Sequence, residues 1–345
     1  MKKEISLLLL SWYQDNKRLL PWRNKKDPYF VWVSEIMLQQ TRTAAVIPYY
    51  KRFIQNIPDI STLANVPLDE LLKLWEGLGY YNRAKNLKKA AQMIMKDYCG
   101  IFPSTYEEIL KLPGIGEYTA SAIASICFNE ATPVIDGNVL RIVSRLTEDE
   151  RCVDEPATKK SIRHELEQIM PLMTGDFNEA FMELGEVICI PKGIPKCEIC
   201  PLNSVCKAYV HHSWDKFPIK EDKKKKKELF NTVFLFHFQE KYAIRKRDEG
   251  HLLSSLWEFP NVEGELNLNA VKKWLKAQKI SYFSVIEGIT NKHVFTHQIW
   301  YMKAYYVELN RIIDSLCWAT LGEIEGIYAI PSAFKPFLDD IKNKG

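Results

Sequence analysis

Leu112-Pro113-Gly114-Ile115-Gly116-Glu117-Tyr118-Thr119 joins two stretches of helical periodicity, and its reading decides the fold of the first half of the chain. Pro113 stops the first helix, because it lacks an N–H and its ring clashes with the preceding turn. Gly114 and Gly116 let the backbone turn with no Cβ in the way. The helix that follows starts with unpaired N–H groups and the positive end of its dipole exposed. Such a hairpin grips a phosphate without reading base sequence. A lone Gly-x-Gly is equally at home in an ordinary helix–helix turn. The full Leu-Pro-Gly-x-Gly run ahead of a helix of small residues favours the phosphate-gripping form.

Around this hairpin, Glu70–Trp75, Asn86–Tyr98, Tyr106–Leu112 and Thr119–Phe128 carry apolar residues three and four apart, cut by Pro and Gly, which predicts helices through about residue 215. The N-terminal Ile5–Leu10 run is followed by Gln14, Asp15, Asn16 and Lys17. Polar residues there predict an amphipathic first helix in place of a secretory signal. Lys216–Lys227 holds five consecutive lysines and reads as a solvated linker. Beyond it, Thr232–Phe238 and His297–Val307 suit strands, and Ala270–Gln278 and Ala333–Lys342 suit helices. An α+β domain is expected there.

The whole chain has 345 residues, 46% of them apolar, 26% charged, with a net charge of +4. That length predicts two or three domains and that composition argues against wholesale disorder. The mild positive charge permits a nucleic-acid partner without demanding one. No stretch approaches the roughly 18 apolar residues of a membrane span, so a soluble, cytoplasmic protein without a membrane partner is expected.

Four of the eight cysteines, Cys189, Cys197, Cys200 and Cys206, fall within eighteen residues. Their C-x7-C-x2-C-x5-C spacing points to a metal centre, with an iron–sulfur cluster and zinc both open and the uneven loops favouring the cluster. Lys192, Lys196 and Lys207 around it suit phosphate contacts. The scattered Cys99, Cys127, Cys152 and Cys317 are expected to be small buried hydrophobes.

Two carboxylates stand out. Glu35 lies within Val31-Trp32-Val33-Ser34-Glu35-Ile36-Met37-Leu38. Burial there would raise its pKa and make it a proton donor near neutral pH; a Glu turned to solvent fits the position equally well. Asp136, in Val134-Ile135-Asp136-Gly137-Asn138, reads first as a helix N-cap. The dipole would keep it ionised, so it could also stabilise a developing positive charge. Glu179, in Phe177-Asn178-Glu179-Ala180, looks by itself like a routine helical Glu.

Glu35, Gly-Leu-Gly-Tyr-Tyr (Gly77–Tyr81), the Leu-Pro-Gly-Ile-Gly hairpin, Val-Ile-Asp-Gly-Asn-Val-x-Arg and the four cysteines occur in that order. The set resembles the helix-hairpin-helix DNA glycosylase superfamily. Leu20–Arg23, Ser34–Thr41 and Leu256–Pro260 resemble its MutY-type adenine glycosylase branch over nearly the whole chain. The resemblance implies a multidomain protein: an all-α glycosylase domain (1–215) with an iron–sulfur module, a Lys-rich linker (216–229) and an α+β Nudix-like domain (230–345). Within the first, a six-helix module would span about 22–132 and a cluster module 1–21 with 133–215. It implies base excision repair: a monomer flips adenine out of duplex DNA at A:8-oxoguanine or A:G mispairs and hydrolyses its N-glycosidic bond. By motif, Glu35 would protonate adenine N7, Asp136 would stabilise the oxocarbenium-like sugar directly or through a transient covalent bond, Asn138 would orient Asp136, and Tyr118 would sit beside them. Glu179 would contact the flipped base, while Trp22, Arg23 and Leu38 would line its pocket. Gln40 and Tyr80 would wedge into the duplex, Gly114 and Gly116 would hold phosphate, and Phe295-Thr296-His297 would read 8-oxoguanine. Cys189, Cys197, Cys200 and Cys206 would bind a [4Fe-4S] cluster.

Three departures from the family pattern stand in the sequence. The first cysteine loop has seven residues where six are common. Thr296 stands where the family has Ser. The C-terminal domain has no Arg-Glu-x-x-Glu-Glu box, its first helix reading Asn269-Ala270-Val271-Lys272-Lys273-Trp274, so it lacks the clustered carboxylates that would hold magnesium for nucleotide hydrolysis. Tyr118 occupies the place where the bifunctional endonuclease III type carries its Schiff-base lysine, which favours a monofunctional enzyme. A cluster protein that only senses damage would not need both Glu35 and Asp136.

Overall fold

The computed structural model describes residues 3–222, 225–250 and 252–344. Lys223 and Lys224, part of the expected linker, lie outside them. The chain divides into two compact units, Met1–Asn65 with Asn86–Asp222, and Val66–Lys85 with Lys223–Gly345.

The first unit is helical. Pro28–Leu38 is apolar nearly all round, and Tyr29 and Val31–Met37 are buried, as a central helix requires. Asp27 caps it by accepting from Tyr29 N at 2.9 Å, and Pro28 opens it where no N–H is needed. The amphipathic N-terminal helix forms as Glu4–Asn16. It buries Ile5, Leu9 and Tyr13 against a core of Val139, Ile142, Leu146, Phe177, Phe181 and Leu184, each such side chain stabilising by about 2 kcal/mol. The hairpin sits between Tyr106–Ile109 and Glu117–Phe128. Gly114 has φ +77°, and a Cβ there would lie 2.4 Å from Asn86 Cβ, so both conformation and space demand glycine.

The second unit is built on a mixed seven-stranded sheet: β1 (Lys227–Phe238), β2 (Lys241–Lys246), β3 (Trp257–Glu258), β4 (Asn261–Glu263), β5 (Tyr282–Val294), β6 (Gln298–Leu309) and β7 (Cys317–Ala319). The main order is β3-β2-β1-β6-β5, with β4 on β1 and β7 on β2. β1 and β6 run parallel, from Lys227 opposite Gln298 to His237 opposite Glu308. Their side chains alternate between two cores. Val233, Leu235, Trp300, Met302 and Ala304 meet Phe334 and, from the helix Lys335–Lys344 that follows it, Phe337 and Ile341. Phe234, Phe236, Tyr305 and Val307 meet Val271 and Leu275 of the helix Leu268–Ala277. Cover on both faces explains why these strands read as continuous apolar runs.

Val66–Lys85 groups with this unit through specific bonds. Lys73 Nζ donates to Tyr328 O at 3.0 Å, Lys246 pairs with Asp69 at 2.6 Å, and Lys85 Nζ donates to Ser255 Oγ at 3.0 Å. Among the described residues no helix is long and apolar enough to cross a membrane. One expectation is corrected: Cys99 is exposed, not buried, because it ends the helix Asn82–Asp97 in a left-handed turn at φ +53°. Cys127, Cys152 and Cys317 are half-buried.

Candidate active site and cysteine pocket

One pocket of the helical unit gathers Trp22, Arg23, Glu35, Leu38, Gln40, Tyr118, Asp136, Asn138 and Glu179. They come from five separate stretches of the sequence. Glu35 is 4% exposed, which settles the even choice its position left open. Burial pushes its carboxyl up to about 7. The hydrogen bond from Tyr118 opposes the rise, and Glu179 and Asp136 add to it. Tyr118 Oη donates to Glu35 Oε2 at 2.7 Å, with Met182 Sδ 3.3 Å from the same oxygen. Its phenol is pushed well up by burial and the neighbouring carboxylates, so it stays a donor.

Asp136 is the N-cap of the helix Gly137–Thr147. Its Oδ1 accepts from Asn138 N at 2.9 Å and Val139 N at 2.7 Å, and its Oδ2 accepts from Asn138 Nδ2 at 2.9 Å. Asp136 thus caps the helix and lines the pocket at once. Burial nevertheless raises its carboxyl above the ordinary value, against those donors and Arg141, where position alone had suggested only stabilisation of the anion. Asn138 is itself held: Arg141 Nη2 donates to its Oδ1 at 2.8 Å and to Gly185 O at 2.8 Å, and Arg141 Nε donates to Cys189 O at 2.8 Å.

Glu179 is not a routine surface Glu. It accepts from Arg23 Nε at 3.0 Å in a region where both side chains are largely buried. Burial raises its carboxyl and Arg23 opposes the rise. Arg18, Thr43, Glu183 and Glu186 also line the pocket and were missed from sequence. Their one signal is the four- and three-residue spacing of Glu179, Glu183 and Glu186, which puts all three on one helix face.

The remaining expected residues lie elsewhere. Gly114 and Gly116 form the hairpin, with Ile115 N donating to Leu112 O at 3.1 Å. Tyr80, Phe295, Thr296 and His297 belong to the second unit. Tyr80 is half-exposed at φ +47°, and its hydroxyl lies 3.1 Å from Thr296 Oγ1. Phe295 packs edge-on against Trp300 at 4.8 Å, and its carbonyl accepts from Lys226 Nζ at 2.7 Å. Thr296 and His297 are exposed at the turn between β5 and β6.

Cys189, Cys197, Cys200 and Cys206 line one pocket together with Ile142, Leu146, Leu184 and Leu202. Burial pushes the Cys200 thiol up to about 12, so a thiolate there needs a cationic group to hold it. Arg145 Nη1 donates to Cys189 Sγ at 3.2 Å. Among the described residues no group of three or more His, Cys, Asp or Glu is arranged around a single metal ion. The long first loop is tied at its base, where Lys196 N donates to Ile188 O at 3.1 Å. Its tip, Pro191–Ile194, is exposed, which leaves room for the extra residue. Lys192, Lys196 and Lys207 are exposed around it.

Residues 33–171 match the family of HhH-GPD superfamily base excision DNA repair proteins, and residues 232–340 match the NUDIX domain. The chain is 40% identical to the adenine DNA glycosylase of Buchnera aphidicola subsp. Acyrthosiphon pisum, over 90% of this chain and 88% of that one. It is 33% identical to the mouse adenine DNA glycosylase, over 85% and 69%. A thermostable thymine-DNA glycosylase structure superposes with a TM-score of 0.56 at 28% identity, over 61% of this chain and 96% of that one. Fold and site thus define a DNA N-glycosylase of the helix-hairpin-helix type that carries a Nudix-type C-terminal domain. The chain belongs to the adenine DNA glycosylase family.

Proposed function

We propose that the protein hydrolyses the N-glycosidic bond of adenine opposite 8-oxoguanine, or guanine, in duplex DNA and leaves the strand itself uncut. The observation that carries this reading is the pairing, in one pocket, of a buried Glu35 poised near neutral pH with a hydrogen-bonded Asp136. Glu35 protonates N7 of the flipped adenine. The C1′–N9 bond then breaks with its electron pair going to the base. The sugar is left oxocarbenium-like, and Asp136 stabilises that charge directly or as a transient ester. Water adds at C1′, loses a proton and leaves an abasic site. Asn138 keeps the Asp136 carboxylate in place, and Glu179, Trp22, Arg23 and Leu38 shape the base pocket. Tyr118, where a lyase would carry lysine, supports glycosylase chemistry without a Schiff base.

In this reading residues 22–132 form the six-helix module, 1–21 with 133–215 the cluster module, 216–229 the linker and 230–345 the lesion-reading domain. Gly114 and Gly116 hold a phosphate. Gln40 and Tyr80 enter the duplex, and Phe295, Thr296 and His297 contact 8-oxoguanine. The cysteine pocket fits a [4Fe-4S] cluster held by Cys189, Cys197, Cys200 and Cys206. Four soft sulfur donors spread over an apolar pocket suit a group larger than one ion. The cluster would shape the basic loop, and the carboxylates would do the chemistry.

A single-turnover assay tests this on A:8-oxoguanine beside A:G and thymine-glycol duplexes, with base release and strand cleavage scored separately. Free adenine without strand cleavage is expected. No adenine release by cluster-loaded protein would reject the reading.

A further inference from the structure

The helix Thr174–Val187 turns Glu179, Glu183 and Glu186 toward two arginines of the N-terminal segment. Arg23 is engaged in three directions: Nε to Glu179 Oε1 at 3.0 Å, Nη2 to Glu183 Oε2 at 2.9 Å and Nη1 to Arg18 O at 3.2 Å. Arg18 bridges the next two carboxylates, with Nη2 at 3.1 Å from Glu183 Oε2 and 2.7 Å from Glu186 Oε2. Glu183 is the centre of this ladder, and its side chain is fully buried. Both its oxygens are taken by the two guanidinium groups.

We infer that Glu183 is a positioning residue for base selection: it keeps Arg23 turned away from one side of Glu179, so that Glu179 retains acceptor capacity for the exocyclic amino group of adenine. An ionised carboxylate accepts at about four lone-pair sites, and a bidentate guanidinium occupies two of them. With Glu183 in place, Arg23 reaches Glu179 through Nε alone and gives Nη2 to Glu183, so Glu179 accepts one bond from Arg23 and one from the Tyr13 hydroxyl and keeps lone pairs for the base. Without that second anion the Arg23 fork closes on Glu179, taking the acceptor that adenine needs. A buried carboxylate between two arginines also resists replacement, because removing it leaves positive charge unpaired. The inference rests on the reading of Glu179 as the contact to the flipped base.

The test compares excision of adenine with excision of unsubstituted purine, which lacks the amino group, opposite 8-oxoguanine in the full chain. Glu183→Gln keeps the volume and removes the charge. It is expected to lower the adenine-to-purine rate ratio by about tenfold, the loss of one charge-assisted hydrogen bond, while Glu183→Asp lowers it by a smaller factor. Equal slowing of both substrates in Glu183→Gln means a merely structural brace and overturns the inference. Should Glu183→Gln fail to fold, an unchanged ratio in Glu183→Asp overturns it instead. Glu179→Gln is the separate control: an unchanged ratio there removes the Glu179 reading itself and the inference with it.

Discussion

Tyr118 donates its phenolic proton to Glu35 Oε2 across 2.7 Å, in a pocket that shields the carboxyl almost fully from water. Burial holds that carboxyl up at about 7, and the tyrosine bond alone among its neighbouring hydrogen bonds pulls it back. A proton donor works only while protonated, so excision is expected to fall as pH rises through about 7. Tyr118→Phe removes a bond that favours the charged form and should move the falling limb up by about one pH unit. A single-turnover pH profile of both proteins checks the sign. A limb that stays put or moves down argues against Glu35 as the acid.

The same burial sets a pH-dependent cost to folding. The folded carboxyl is raised from 4.5 to about 7, so the folded chain binds the proton more tightly than the unfolded chain. The stability this contributes is fully present below about 4.5 and is lost as pH rises through about 7, on the order of 3 kcal/mol in all. Glu35→Gln carries no charge at any pH. It should lack excision activity yet resist urea better than the parent at pH 8, with the difference closing at pH 5. Parallel pH dependence in the two proteins would show that the carboxyl is solvated.

Asn138 is the hinge between Asp136 and the Arg141 bonds, and it is packed against a glycine. A Cβ at Gly185 would lie 2.5 Å from Asn138 Cβ and 3.0 Å from its Oδ1. Gly185→Ala therefore displaces Asn138 and withdraws a donor from Asp136. Loss of about 1–3 kcal/mol of stability is expected from overpacking. Excision should fall by about a hundredfold, as misplacement near the reacting atoms costs, with duplex affinity kept. Measured binding and single-turnover rates separate the two. Full activity would mean that Asp136 does not depend on Asn138. Asp136→Asn should likewise abolish excision with binding kept, since Asn caps the helix nearly as well.

Local chemistry explains what could be read in advance. The hairpin was readable because Pro113 fixes its own φ and Gly114 takes φ +77°; Gly116, extended at φ −98° with open space around it, is not required to be glycine. The helices Asn82–Asp97 and Glu117–Phe128 were readable from period, and the strands β1 and β6 from their aromatic and β-branched residues. β5 was not, because Gly288 and a register shift between Glu287 and Thr290 break its alternation. Glu35 could not be decided from its own helix, since its hydrogen-bond partner Tyr118 lies 83 residues away. The Arg18–Glu183 bond spans 165 residues and leaves no local mark. The grouping of Val66–Lys85 with the sheet unit was equally invisible, because Asp69, Lys73 and Lys85 look like ordinary helix-surface charges until their partners are placed.

Thr296 offers its hydroxyl at an exposed turn, 3.1 Å from the Tyr80 hydroxyl. Each can serve as donor or acceptor to the other, and a lesion oxygen can compete for either. Thr296→Ala removes that partner and should reduce the preference for A:8-oxoguanine over A:G, by about fivefold if one neutral hydrogen bond of roughly 1 kcal/mol is lost. Thr296→Ser restores a hydroxyl without the methyl and should recover the ratio. An unchanged ratio in Thr296→Ala would refute a reading role for the turn.

The cysteine pocket makes a prediction independent of catalysis. Four half-buried thiols line it, and Arg145 Nη1 donates to Cys189 Sγ. Protein purified without oxygen is expected to be brown, with absorbance near about 400 nm and about four irons per chain, as four terminal thiolates on a cubane require. Arg145→Gln removes the donor to Cys189 Sγ and should speed loss of iron to a chelator, because a ligating sulfur without its supporting hydrogen bond is held less firmly. Zinc in place of iron would refute the cluster and leave the argument from Glu35 and Asp136 untouched, since neither carboxylate lines the cysteine pocket.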